Sequence, residues 1–166
     1  MIEMLRVDDR LIHGQIAIRW TKYLMVDSIV VANDEAATDK LLTTALKLAC
    51  PKDLKLMVCK IDEAIELLNN PKLKERKILV IVNQLPDALE LLKNVNDIKV
   101  FNIGNYGKNT KEDNRHKKMY SEELMADEKD LELLREIIST GAKCTVQLLP
   151  DRECLSLESL LNKNRR

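Results

Sequence analysis

The sequence predicts an α/β protein: a single domain on an open, mostly parallel sheet with helices on both faces. Three observations carry that expectation. The runs "SIVVAN" and "KILVIVN" are almost continuously apolar, as in strands covered on both sides. Such runs alternate along the chain with segments of helical periodicity, the pattern that requires crossover connections. Finally, 166 residues with 45% hydrophobic and 33% charged content suit one globular unit, and no repeat or interdomain linker interrupts residues 1–166.

In order, the apolar runs predict strands over Ile2–Val7, Ser28–Asn33, Leu54–Cys59, Ile78–Asn83, Val100–Ile103 and Lys143–Leu148. A weaker candidate lies near Lys118–Met125. Between them, "ATDKLLTTALKLAC" repeats Leu41, Ala45 and Leu48 at helical spacing, and Leu42, Leu46 and Ala49 widen the stripe. Pro51 stops that helix. In "LPDALELLKNV", Pro86 suits a first helical turn, where its missing N–H costs nothing. In "DEKDLELLREIISTG", Asp127 can cap the start and Gly141 can take the left-handed position past the end; Leu131, Leu134 and Ile138 should face the sheet. The polar stretch Gly104–Lys118 reads as a mobile loop of functional length, and "NKNRR" as a frayed basic tail.

Composition excludes several functions. Formal net charge is zero, from 27 basic and 27 acidic residues, and aromatics make up 3%. A nucleic-acid partner is therefore not expected, since neither a basic stripe nor stacking platforms are available. No run approaches the ~18 apolar residues of a membrane span, and the N-terminus is charged too early for a secretory signal, so a cytoplasmic location is expected. Cys50, Cys59, Cys144 and Cys154 have no metal-ligand spacing; they read as reduced thiols in core or semi-buried positions. No cofactor and no metal is expected.

Ligands of open α/β sheets bind beyond the carboxyl ends of the strands. The first strand ends near Val7, which places "DDRLIHG" in such a loop, ahead of a helix starting near Gln15. Gly14 can allow a tight bend, and the backbone N–H groups at Gly14 and Gln15 can receive an anion. Arg6 and Arg10 bring permanent charge in a fork that suits phosphate oxygens; Arg19, a turn further on, is a weaker candidate.

His13 has three readings: a core histidine satisfied by a carboxylate, a metal ligand, or a nucleophile. A metal ligand would lack companions. A nucleophile fits well, because a neutral imidazole with an ordinary pKa near ~6.5 is available at cellular pH. Asp8 or Asp9 could then fix the tautomer, and arginine could stabilise the group in transfer. The Asp8–Asp9 pair also resembles the acidic pair of a two-component receiver domain. That fold would need a phosphoacceptor Asp where Cys59 or Asn83 stands. Asp62 comes too late and reads as the cap of the following helix.

From Arg6 to Ile16, "RVDDRLIHGQI" resembles without a gap the signature R-[VI]-D-[DS]-R-L-[IV]-H-G-Q-[VI]. That signature belongs to the IIB component of the mannose/fructose/sorbose class of the bacterial phosphoenolpyruvate-dependent sugar phosphotransferase system. The similarity continues through Trp20, "VVANDEAATDKL", "ALKLACPKDLKLMV", "VFNIGN" and "GAKCTVQLLPD", so it spans nearly the whole chain. It implies a sheet of about seven strands. It also implies a sugar phosphotransferase that carries a phosphohistidine at His13, on the ring nitrogen nearer the backbone.

The implied partners are a phosphorylated IIA protein, the membrane IIC and IID components with their bound sugar, and in some assemblies a second copy of the chain. The location implied is cytoplasmic, at the periphery of the membrane transporter. Asp9 is expected to orient His13, and Arg6, Arg10, Gly14 and Gln15 to hold the phosphoryl group. A regulatory IIB-like phosphoprotein and a plain anion-binding module are the alternatives. One departure is "NIGNYG", where Asn105 stands in place of the second Gly of the family's N-x-G-G-M; His116, in the polar loop, reads as solvated.

Overall fold

The computed structural model describes residues 1–108 and 114–164. It contains β1 (Ile2–Asp8), α1 (Gly14–Leu24), β2 (Ser28–Ala32), α2 (Asp34–Thr38), α3 (Lys40–Ala49), β3 (Lys55–Cys59), α4 (Ile61–Leu68), β4 (Ile78–Val82) and α5 (Leu85–Asn94). These are followed by β5 (Val100–Asn105), β6 (Lys118–Ser121), β7 (Leu124–Ala126), α6 (Glu128–Ser139), β8 (Lys143–Val146), β9 (Leu155–Ser156) and α7 (Leu157–Lys163). Seven strands form one sheet in the order β3-β2-β4-β1-β5-β8-β9. Every pairing in it is parallel except β8 with β9.

Two apolar clusters cover the two faces. Met4, Ile29, Val31, Leu79 and Ile81 pack with Trp20 of α1 and Leu46 of α3 on one side. Leu5, Val7, Val30, Val80, Phe101 and Ile103 pack on the other, with α4, α5, α6 and α7. Burial on both faces explains why β2 and β4 lack alternation in sequence.

Several local expectations hold. Pro86 lies in the first turn of α5. Asp127 caps α6 by accepting the N–H of Asp130, and Gly141 follows that helix with φ 88°. Others are corrected. The weak strand near Lys118–Met125 is a hairpin, β6–β7, outside the main sheet. The seventh strand is instead β9, too short at two residues to show a pattern. It leads into α7, whose Leu157 and Leu161 are buried, so ordered helix reaches Lys163 of the expected tail.

The apolar stripe of α3 is split. Leu46 is 7% exposed and packs inward, whereas Leu41 and Leu48 are 79% and 84% exposed. On α6, Ile137 is fully buried where Ile138 is only partly so. Lys60, not Asp62, is the N-cap of α4; its backbone N–H donates to Glu63. The long polar segment is ordered at both ends, with a 3₁₀ turn at Asn114–His116 and His116 exposed. Residues 109–113 of the expected mobile loop lie outside those described, as do 165 and 166. Cys50 and Cys59 are buried, Cys144 half-buried and Cys154 exposed, all unpaired. Burial raises the Cys59 and Cys144 thiols to about 11, far from a reactive thiolate.

Candidate functional site

From β1 the chain proceeds leftward in the strand order to β2; from β5 it proceeds rightward to β8. Their carboxyl ends are adjacent, which makes the gap between them the topological switch point of the sheet. The loop 9–13 leaves β1 there. It is stitched to β5 by the Asp9 N–H donating to the Asn105 carbonyl (2.9 Å), and the Lys108 N–H donates to Asp9 Oδ2 (3.1 Å).

Within the loop the backbone turns at Leu11, whose N–H donates to the Asp8 carbonyl (3.0 Å) and whose φ is 58°. A left-handed leucine costs about 1–2 kcal/mol, so the surrounding turn holds it there. The bend expected at Gly14 is thus made three residues earlier. A β-carbon at Gly14 would meet open space, and φ there is not positive. His13 is the N-cap of α1 and is exposed. Its carbonyl accepts the Ala17 N–H, while the N–H groups of the first turn are the open donors of any helix start. Gln15 is exposed on that turn.

The two arginines have separated roles. Arg6 is 2% exposed. Its Nη1 donates to Asn102 Oδ1 (2.7 Å) and to the Gln147 carbonyl (3.1 Å); its Nη2 donates to the Leu148 carbonyl (3.1 Å) and Asp8 Oδ2 (3.5 Å). The guanidinium also lies over the Trp20 ring at 5.4 Å, and Trp20 Nε1 donates to the same Leu148 carbonyl. Burial pushes the Arg6 pKa down to about 10 against the opposing pull of Asp8, which leaves it charged at neutral pH. Arg6 therefore ties β1, α1, β5 and the segment after β8 together beneath the loop.

Arg10, in contrast, has a side chain 32% exposed. Its backbone N–H and its Nε both donate to Asp8 Oδ1, at 3.0 and 3.2 Å, and its terminal amino groups have no partner among the described residues. Asp9 does not orient the histidine: among the described residues no hydrogen bond reaches the His13 ring. The Asp9 carboxylate clips Lys108 instead. Arg19 pairs with Asp151 (2.6 Å) and braces α1.

A cleft of about 340 Å³ opens beside the loop, lined by Arg10, Leu11 and Ile12, by Leu42 of α3, and by Asn33 and Asn83 at the ends of β2 and β4. Asn33 caps α2 and donates to Asn83 (2.8 Å). Among the described residues, no group of three or more His, Cys, Asp or Glu could hold a metal ion, and no helix is long and apolar enough to cross a membrane.

Asn105 does not need the freedom of the glycine that it replaces. It sits in β5 without positive φ, and the left-handed position falls at Gly107, φ 93°. Sequence reasoning missed Trp20, Asn102 and Gly104 as supports of the site. Period-two alternation could have found Arg6's burial, because it follows Met4 on the face of β1 that α1 covers.

A family model described as the PTS system sorbose subfamily IIB component matches residues 2–166. The chain belongs to that family. As a IIB component it is a phosphotransferase of the sorbose/mannose group. It is 36% identical to a probable phosphotransferase enzyme IIB component of Streptococcus pyogenes serotype M6, over 98% of this chain and all of the relative. It is 29% identical to the mannose-specific EIIAB component of Escherichia coli K12, of which it spans 49%. The IIBSor domain of the Klebsiella pneumoniae sorbose permease superposes with a TM-score of 0.88 over 98% and 97% of the two chains; at 24% identity that likeness speaks for the fold.

Proposed function

We propose that His13 of this IIB component is a transient phosphohistidine, charged by a phosphorylated IIA protein and discharged to a sugar held by membrane IIC and IID components. The observation that carries this reading is the pairing of an exposed imidazole at the start of α1 with an arginine three residues before it whose terminal amino groups are uncommitted among the described residues. In the first step a ring nitrogen of neutral His13 attacks phosphorus in line. The resemblance to the family favours the nitrogen nearer the backbone. The P–N bond to the donor's histidine breaks, and its electron pair returns to that ring. In the second step a sugar hydroxyl attacks, the bond to His13 breaks, and the hydroxyl proton is released.

Phosphoryl transfer depends mainly on position and charge. Arg10 and the backbone N–H groups of Gly14 and Gln15 receive the phosphoryl oxygens. Arg6 supports the loop from below and makes no phosphate contact. The carrier works in the cytoplasm at the face of the transporter with a IIA partner; the Escherichia coli relative, named as an AB component, supports that pairing.

The test is incubation with phosphoenolpyruvate, the general phosphotransferase proteins and a IIA protein. Acid-labile, alkali-stable label at His13, lost in His13→Ala, is the expected result. Label persisting in His13→Ala, or none in the wild type with every IIA tried, refutes the reading.

A further inference from the structure

We infer that Asp8 is a positioning residue for phosphoryl transfer, acting through Arg10 and not through His13. This rests on the carrier reading above. The Asp8 side chain is 1% exposed, fixed at the end of β1. Its Oδ1 receives both the backbone N–H and the Nε–H of Arg10, while Oδ2 faces Arg6. One oxygen thus grips the main chain and the side chain of the same arginine. With Nε anchored, the guanidinium plane is set and only its terminal amino groups remain for a ligand. A fork held in this way loses less freedom on binding two phosphoryl oxygens than an arginine free to rotate.

Direct contact between Asp8 and the phosphoryl group is excluded by charge, because a carboxylate repels a phosphoryl dianion. Arg6 and Arg10 are matched by Asp8 and Asp9, but the Asp9 carboxylate is turned to the Lys108 N–H, so the terminal amino groups of Arg10 are the positive charge that the loop presents. Nor does Asp8 hold the tautomer of His13, since no described residue hydrogen-bonds that ring. Its contacts with Arg6 and with the Leu11 N–H support the loop; the one side chain through which its carboxylate reaches a phosphoryl group is Arg10.

A double-mutant cycle tests this. Asp8→Asn keeps an oxygen acceptor but removes the charge; Arg10→Lys keeps the charge but removes Nε. The rate of phosphoryl transfer onto His13 is measured in single turnovers from phosphorylated IIA, over a range of donor concentrations. Each single variant should slow the saturated rate about 10-fold, with the apparent donor KM changed by less than about 2-fold. Asp8→Asn added to Arg10→Lys should slow it by less than about 2-fold more. Equal losses from Asp8→Asn in both backgrounds would mean a general structural role and overturn the inference. So would Arg10→Lys at the wild-type rate; that arm stands even if Asp8→Asn does not fold, because Arg10 is partly exposed. Emission from Trp20, the one tryptophan, reports whether each variant keeps the Arg6 stack. A wild type that takes no label at His13 would instead refute the carrier reading, and this inference with it.

Discussion

Gly104 lies flat against the guanidinium of Arg6, so close that a β-carbon at position 104 would overlap Cζ and both terminal nitrogens. Ordinarily the end of an arginine can swing aside. Here it cannot without surrendering its bonds to Asn102, Gln147, Leu148 and Asp8.

Gly104→Ala should therefore destabilise the fold by about 2–4 kcal/mol, between the cost of overpacking and that of a broken buried ion pair. Urea denaturation followed by Trp20 emission measures it. A loss under about 0.5 kcal/mol would show that Arg6 has somewhere else to go.

The divided face of α3 yields a paired comparison. Leu46→Ala removes a core side chain and should cost about 2–4 kcal/mol. Leu48→Lys, on the solvent side, should change stability by no more than about 0.5 kcal/mol. Thermal or urea unfolding of both variants distinguishes them; a large loss from Leu48→Lys would place that side chain in a packed environment.

Asp87 supplies a pH dependence. Burial first, then Asp34 and Glu90, raise its pKa to about 6, although it stands in the first turn of α5 where a carboxylate is normally favoured. The folded state thus holds this proton more tightly than the unfolded chain. Below the unfolded pKa of about 4 both states are protonated and Asp87 has no effect. As pH rises from there through 6, stability is lost. After discounting for its partial exposure, the loss is on the order of 1 kcal/mol. Asp87→Asn should be more stable than wild type at pH 7 by that amount and indistinguishable near pH 3.5. A pH-independent difference would assign the effect to packing.

Fold and site were legible in the sequence to different degrees. Strands β2 and β4 announce themselves because burial on both faces demands unbroken apolar runs. A two-residue strand such as β9 has no period to read, and α7 follows it without a break. The stripe on α3 misled because apolar residues on two sides of one short helix overlap in periodicity. At the site, His13 and its loop were evident. The division of labour was not: Arg6 and Arg10, like Asp8 and Asp9, are chemically identical pairs. What separates them is strand alternation and distant partners. Arg6 and Asp8 lie within β1 and are buried, while Arg10 has left the sheet.

The acceptors that hold Arg6 stand 96, 141 and 142 residues further along the chain, at Asn102, Gln147 and Leu148. The histidine is thus synthesised well before the floor that supports its loop. A ribosome must add Asn102, Gln147 and Leu148 before the floor under the loop can close, so competence to carry a phosphoryl group arrives late, as a property of the folded sheet and not of the loop.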